Sequence, residues 1–158
     1  MTIIGGRNRI VNINCQQLGK ALCRATFPSQ AKKSGRTARQ TMGKISTHVL
    51  DTLNGKPAQG VHLSLYRIEG DRIVLLAQTS TNADGRCDAP LLEGDDMVAG
   101  LYELRFALGD YYAALGVPLP EPRFLNEVVL RFGVAHPDQN YHVPLVATPW
   151  AYSTYRGS

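Results

Sequence analysis

The sequence predicts an all-β protein, an antiparallel β-sandwich carrying at most one short helix. Three observations lead there. From Ser46 onward, apolar residues recur with period two, the spacing of half-buried strands. The alternating runs are short, about seven or eight in number, and turn signals separate them. Helical spacing occurs once and briefly.

The first strand is expected over Ser46 to Leu50. Asn54-Gly55-Lys56-Pro57 follows with turn chemistry, since Gly accepts positive φ and Pro fixes its own φ. Val61, Leu63 and Leu65 then alternate with His62, Ser64 and Tyr66. Gly70-Asp71 turns the chain into a strand over Ile73 to Thr79. Asn82-Ala83-Asp84-Gly85 is a further turn, and it sets Arg86 directly behind it. Residues 88–99, with Pro90 and Glu93-Gly94-Asp95-Asp96, read as a loop. Tyr102, Leu104 and Phe106 alternate with Glu103 and Arg105. Asp110 is expected to cap a helix over Tyr111 to Leu115, which Gly116 and Pro118 end. Val128, Leu130 and Phe132 mark the next strand, and Tyr141 to Val146 and Ala151 to Arg156 the last two. The aromatic and β-branched residues Trp150, Tyr152, Thr154 and Tyr155 favour a strand almost to the last residue. Such a strand would hold Arg156 and the α-carboxylate of Ser158 in place.

The 158 residues suit one domain with a real core. The chain divides into a basic extension, 1–43, and a folded domain, 44–158. The extension holds eight Lys and Arg and no acid. The domain holds the other nine against all thirteen acids, a net charge of −4. A nucleic-acid surface needs a basic face on the folded part, so that partner is not expected. Within the extension, Ser34 to Gln40 reads as flexible and solvated. A secretory signal would need an apolar stretch of about 7–15 residues, and none is present. Two readings stay open: an Arg- and Ser-containing, acid-poor transit segment, or a dispensable stretch upstream of a true start at Met42. Neither gives the segment any chemistry. No apolar run approaches the roughly 20 residues of a membrane helix, so no membrane partner is expected. Cys15, Cys23 and Cys87 form no metal-ligand spacing and no even disulfide set. Cys87 reads as a small buried residue, and a reducing, cytoplasmic location fits.

Four features could carry chemistry: His48 in the first strand, Arg86 behind its turn, His142 in the penultimate strand, and the terminal Tyr155-Arg156-Gly157-Ser158. Each has a simpler reading alone, as a structural histidine, a solvated surface charge or a frayed end. No spacing rule links them. His62, on the polar side of its strand, and His136, before Pro137, read as solvated.

The segment Ser46-Thr47-His48-Val49-Leu50-Asp51, continued by Thr52-Leu53-Asn54-Gly55-Lys56-Pro57-Ala58, resembles the opening of the transthyretin family. The end of the chain, Tyr141-His142-Val143-Pro144-Leu145 through Tyr155-Arg156-Gly157-Ser158, is similar to the 5-hydroxyisourate hydrolase branch of that family. The resemblance spans about residues 44–158. Only the long basic extension and the small Val146-Ala147 pair depart from it. It implies a transthyretin-like sandwich of two four-stranded sheets with one short helix, assembled as a homotetramer with sites at the dimer–dimer interface. It implies His48, Arg86, His142 and Ser158 as catalytic residues. His48, Arg86, Tyr155, Arg156 and Gly157 would contact the substrate. The implied reaction is hydrolysis of 5-hydroxyisourate to 2-oxo-4-hydroxy-4-carboxy-5-ureidoimidazoline. The alternative is a non-catalytic carrier of a small ligand on the same sandwich.

Those residue types suit that chemistry. Water attacking a ring carbonyl needs a base, and imidazole titrates near neutral pH. The resulting oxyanion needs a fixed positive charge, which a guanidinium supplies. Two histidines and an arginine are a poor metal set, so neither a metal nor another cofactor is expected, and a zinc-dependent hydrolase is a minor third reading.

Overall fold

The computed structural model describes residues 42–157. The expected extension up to residue 41, with Cys15 and Cys23, and the terminal Ser158 lie outside the described residues.

The elements run in the order β1 (Lys44–Asp51), β2 (Lys56–Pro57), β3 (His62–Glu69), β4 (Arg72–Ser80), β5 (Leu92–Glu93), β6 (Gly100–Phe106), α1 (Leu108–Ala114), β7 (Val128–Val134), β8 (Tyr141–Ala147) and β9 (Tyr152–Thr154). They form two sheets. One has the order β4-β3-β6-β7, with every pair antiparallel. The other has the order β2-β1-β8-β9, and β5 also pairs with the start of β1. The period-two alternation does what it predicts. Ile45 and Val49 from β1, Val143 and Leu145 from β8, Leu63 and Leu65 from β3, and Tyr102, Leu104 and Phe106 from β6 are buried in a common core. Each such side chain contributes about 1.5–3 kcal/mol of transfer free energy, an upper bound because unfolded chains are already partly compact.

Four details differ from the sequence expectation. First, β1 and β8 run parallel, with Ser46 opposite His142 and His48 opposite Pro144. Alternation has the same period in either direction, so it carries no sign of strand polarity. Second, Lys56–Pro57 and Leu92–Glu93, read as turn and loop, each pair with β1; two-residue segments are too short to show a period. Third, α1 begins at Leu108, not after Asp110. Its N-cap, Ala107, makes no side-chain cap, and Leu108 is fully buried. Tertiary docking sets this start, and Asp110 instead pairs with Arg123 at 2.6 Å. The far end follows expectation. Gly116 adopts φ 74°, with Val117 N–H donating to Tyr112 O and Gly116 N–H to Ala113 O, the paired bonds of a Schellman cap.

Fourth, β9 stops at Thr154. The next residue would pair with Pro144, which has no N–H to offer the ladder. The Thr154 hydroxyl takes up the Pro144 carbonyl at 2.8 Å instead. Pairing resumes in the same register at one bridge, Gly157 opposite His142.

Asp51, at the end of β1 and 1% exposed, ties α1 to this sheet. Its carboxylate accepts from the hydroxyls of Tyr111 and Tyr112 at 3.0 Å each. It also accepts from Asn54 Nδ2 at 2.6 Å and from the N–H groups of Leu53 and Asn54. The Tyr112 hydroxyl is also 2.9 Å from Ala147 O, the last residue of β8. Burial raises the Asp51 pKa, but the donors, Asn54 first, outweigh it and hold the carboxyl below its ordinary value. Among the described residues no helix is long and apolar enough to cross a membrane.

Candidate active site

The candidate site lies on the outer face of the sheet that contains β1 and β8. On β1, Ile45, Thr47, Val49 and Asp51 point into the core, which turns Ser46 and His48 outward. On β8, Tyr141, Val143, Leu145 and Ala147 point inward, which turns His142 outward. Because the two strands are adjacent and parallel, their outward histidines become neighbours. Their ring centroids are 6.5 Å apart with planes 25° from parallel. The Ser46 hydroxyl lies 3.0 Å from His142 Nδ1.

Arg86 reaches the same face from the other side of β1. Gly85 adopts φ 71°, which a side chain rarely tolerates, and a Cβ there would also run into the Val49 carbonyl oxygen. Only glycine lets this turn press against β1. Val49 N–H then donates to Gly85 O at 2.8 Å, and Arg86 forms a bridge with His48. Asn82 fixes the turn: its Oδ1 accepts from Asp84 N–H and Arg86 N–H at 3.0 and 3.1 Å, and its own N–H donates to Arg86 O at 2.7 Å. Across the sheet the order is therefore Arg86, then Ser46 and His48 on β1, then His142 on β8, then Gly157.

Both imidazoles are half-buried and Arg86 is exposed. Burial, then the Arg86 charge, lowers the His48 pKa. Burial, then Arg86, then His48, lowers that of His142, against a smaller opposing contribution from the Ser46 backbone. Both rings are thus biased toward the neutral form, the one that can take a proton.

The structure gathers His48, Arg86, His142 and Gly157. Gly157 N–H donates to His142 O at 2.8 Å. The side chain of Arg156 goes elsewhere within the chain. Its guanidinium stacks over Tyr141, 4.6 Å from the ring centroid, and Nη2 donates to Gln139 Oε1 at 2.9 Å. Tyr155 and Arg156 both line a groove of about 700 Å³ that also includes Phe132 and Tyr152, at the edge of the sandwich. Ser158 lies outside the described residues. His62 and His136 are exposed, as expected. Cys87 is half-buried against the core, and burial followed by Asp88 raises its thiol pKa, which disfavours a thiolate nucleophile. Among the described residues, no group of three or more His, Cys, Asp or Glu side chains is placed to hold a metal.

Sequence reasoning missed Ser46 and the role of Gly85. Ser46 lies two residues before His48, so period two alone puts it on the histidine face. Its contact with His142 needs the parallel pairing, which has no sequence signal. The Asn82-to-Gly85 turn was legible; its docking on Val49 was not.

Comparison with known proteins agrees with this architecture. The family model described as HIUase/Transthyretin family matches residues 45–157. A 5-hydroxyisourate hydrolase of Pseudomonas aeruginosa is 57% identical over 119 residues, 75% of this chain and 94% of the relative. One from Ralstonia nicotianae is 55% identical over 117 residues, 74% of this chain and 100% of the relative. Among solved structures, Klebsiella pneumoniae 5-hydroxyisourate hydrolase superposes with a TM-score of 0.62 at 34% identity, covering 73% of this chain and 99% of that one. An (S)-allantoin synthase gives 0.71 at 41% identity, covering 75% of this chain and 44% of that one. With the family model spanning most of the chain and relatives above half identity, this chain belongs to the HIUase/Transthyretin family.

Proposed function

We propose that this protein hydrolyses 5-hydroxyisourate, yielding 2-oxo-4-hydroxy-4-carboxy-5-ureidoimidazoline, at the face that carries His48, His142 and Arg86. The observation that supports this most strongly is the 6.5 Å approach of two outward imidazoles from adjacent parallel strands, with Arg86 opposite His48 at a single backbone β-bridge. The activity named for relatives above half identity points the same way.

In the proposed reaction, one imidazole takes a proton as a water oxygen bonds to a ring carbonyl carbon. The carbonyl electrons move onto oxygen, and the Arg86 guanidinium stabilises that oxyanion. Collapse of the tetrahedral intermediate breaks the ring C–N bond. The protonated imidazole returns its proton to the departing nitrogen, leaving an opened ring and a carboxylic acid that ionises to the carboxylate by giving its proton to water. The second imidazole orients the water, and the two titrate as a pair. Base assistance is worth about 10²–10⁴ in rate, and one oxyanion donor about 10²–10³. Gly157 borders His142 on this face, whereas Tyr155 and Arg156, which line the edge groove within one chain, would complete the wall of the site from a second copy, and Ser158 is proposed as a further catalytic residue. No resident cofactor enters the scheme.

The three groups sit on an open sheet face, with Arg86 exposed. We propose that further copies of the chain cover it, giving a homotetramer with sites at the dimer–dimer interface. Freshly generated 5-hydroxyisourate tests the activity, because its ultraviolet absorbance decays slowly unaided. The protein should accelerate that decay, with and without chelator. Binding without turnover would favour the carrier, and loss of activity on chelation would favour a metal-dependent hydrolase. Sedimentation at the working concentration tests the assembly.

A further inference from the structure

His142 is held on two sides by residues that the scheme above leaves without a role in its placement. On the β1 side, Ser46 Oγ is 3.0 Å from Nδ1. On the β9 side, Gly157 lies against the ring: a Cβ built on it would be 2.7 Å from His142 Cδ2 and 3.2 Å from Cβ and Cγ. The Gly157 N–H also holds the His142 carbonyl at 2.8 Å, at the point where the ladder resumes past Pro144. With Nδ1 facing β1 and Cδ2 facing β9, the edge carrying Nε2 is left for the solvent side. Among the described residues Nε2 has no hydrogen-bond partner.

We propose that Ser46 and Gly157 are positioning residues that clamp His142. The Ser46 hydroxyl accepts from Nδ1–H and so leaves the lone pair on Nε2, and the bare Gly157 backbone fixes the ring angle. This rests on the reading of His142 as part of a hydrolytic pair. The direction of the Ser46 bond follows from the role proposed for the ring. A hydroxyl can serve either tautomer, but a base that works through Nε2 needs its proton on Nδ1. Glycine at 157 has a matching cause. Pro144 interrupts the ladder, so the terminal segment must be caught again one bridge later. That bridge falls opposite the histidine itself, where any side chain would displace the imidazole.

The test uses the full chain and its Ser46→Ala, Ser46→Thr and Gly157→Ala variants. Long-range nitrogen–proton NMR of the imidazoles, recorded above their titration range, reads the tautomer. Initial rates of 5-hydroxyisourate decay read kcat and KM separately. Wild-type His142 should be the Nδ1–H tautomer. Ser46→Ala should lower the ratio of the Nδ1–H to the Nε2–H form by about threefold to tenfold, the equilibrium weight of one hydrogen bond, and lower kcat in step with the Nδ1–H population, with KM little changed. Ser46→Thr, which keeps the hydroxyl, should restore both. Gly157→Ala should lower kcat by about 10²-fold through misplacement of the ring, with the far-ultraviolet spectrum of the fold retained. A Ser46→Ala variant with the wild-type tautomer and kcat, or Gly157→Ala at the wild-type kcat, overturns the proposal. Failure of the wild-type protein to accelerate decay would instead sink the hydrolase reading, while the tautomers of wild type and Ser46→Ala would still decide the clamp.

Discussion

Replacing Asp51 by alanine should loosen the frame that carries the histidines without touching their chemistry. Asp51 ends β1 three residues after His48 and collects five donors while only 1% exposed. Removing the carboxylate leaves the Tyr111 hydroxyl with no protein partner, whereas Tyr112 keeps Ala147 O at 2.9 Å. The turn donors belong to Leu53 and Asn54, both exposed, so water replaces their bonds at little cost. An orphaned buried donor costs about 1–3 kcal/mol, and a lost bond to a charged acceptor about 1.5–3 kcal/mol. Together these give about 2.5–6 kcal/mol against a total stability of about 5–15 kcal/mol. For a domain of this size that is a fall of about 10–24 °C in Tm. Urea unfolding at neutral pH and fixed protein concentration measures it, with the rate of 5-hydroxyisourate decay followed well below the transition. The Asp51 pKa is depressed on folding, so its contribution is present above the unfolded carboxyl value of about 3.9 and fades as pH falls below it. The difference between wild type and Asp51→Ala should therefore shrink in acid. A loss below about 1 kcal/mol at neutral pH, or a difference that grows in acid, would refute the reasoning.

Other outcomes follow from the same geometry. Arg86→Gln should lower kcat/KM by about 10²–10³. It should also move the acid limb of the pH profile upward, because the Arg86 charge is one of the causes that lower both histidine pKa values; a limb that stays or moves down contradicts this. Gly85→Ala forces a side chain into φ 71° against the Val49 carbonyl. It should cost about 1–2 kcal/mol from the backbone conformation alone and reduce kcat by displacing Arg86, with urea midpoints and initial rates as the readouts. Deleting residues 1–41 should leave turnover and assembly unchanged, and sedimentation of the shortened chain checks the second point.

The sandwich was legible because its strands alternate: Val61, Leu63 and Leu65, or Tyr102, Leu104 and Phe106, leave no other way to bury one side. The helix end was legible because Gly116 has a single stereochemical use there. Its start was not, because docking of Leu108 overrides the capping preference of Asp110. The individual site residues stood out by type and by resemblance, but their convergence did not. That depends on the parallel polarity of β1 and β8, and on a glycine turn docking against Val49. Both are long-range pairings with no local signature. For the same reason Ser46 looked like an ordinary strand residue, and the route of the Arg156 side chain toward Tyr141 could not be foreseen.

The proposed hydrolysis depends on two imidazoles acting as one unit. The direct measurement is a cycle of His48→Gln, His142→Gln and the double variant, compared by the initial rate of 5-hydroxyisourate decay. Each single change should cost about 10²–10⁴, and the double variant scarcely more than the worse single one, because groups that act together are not additive. Wild-type rates in either single variant, or losses that multiply in the double, would contradict it.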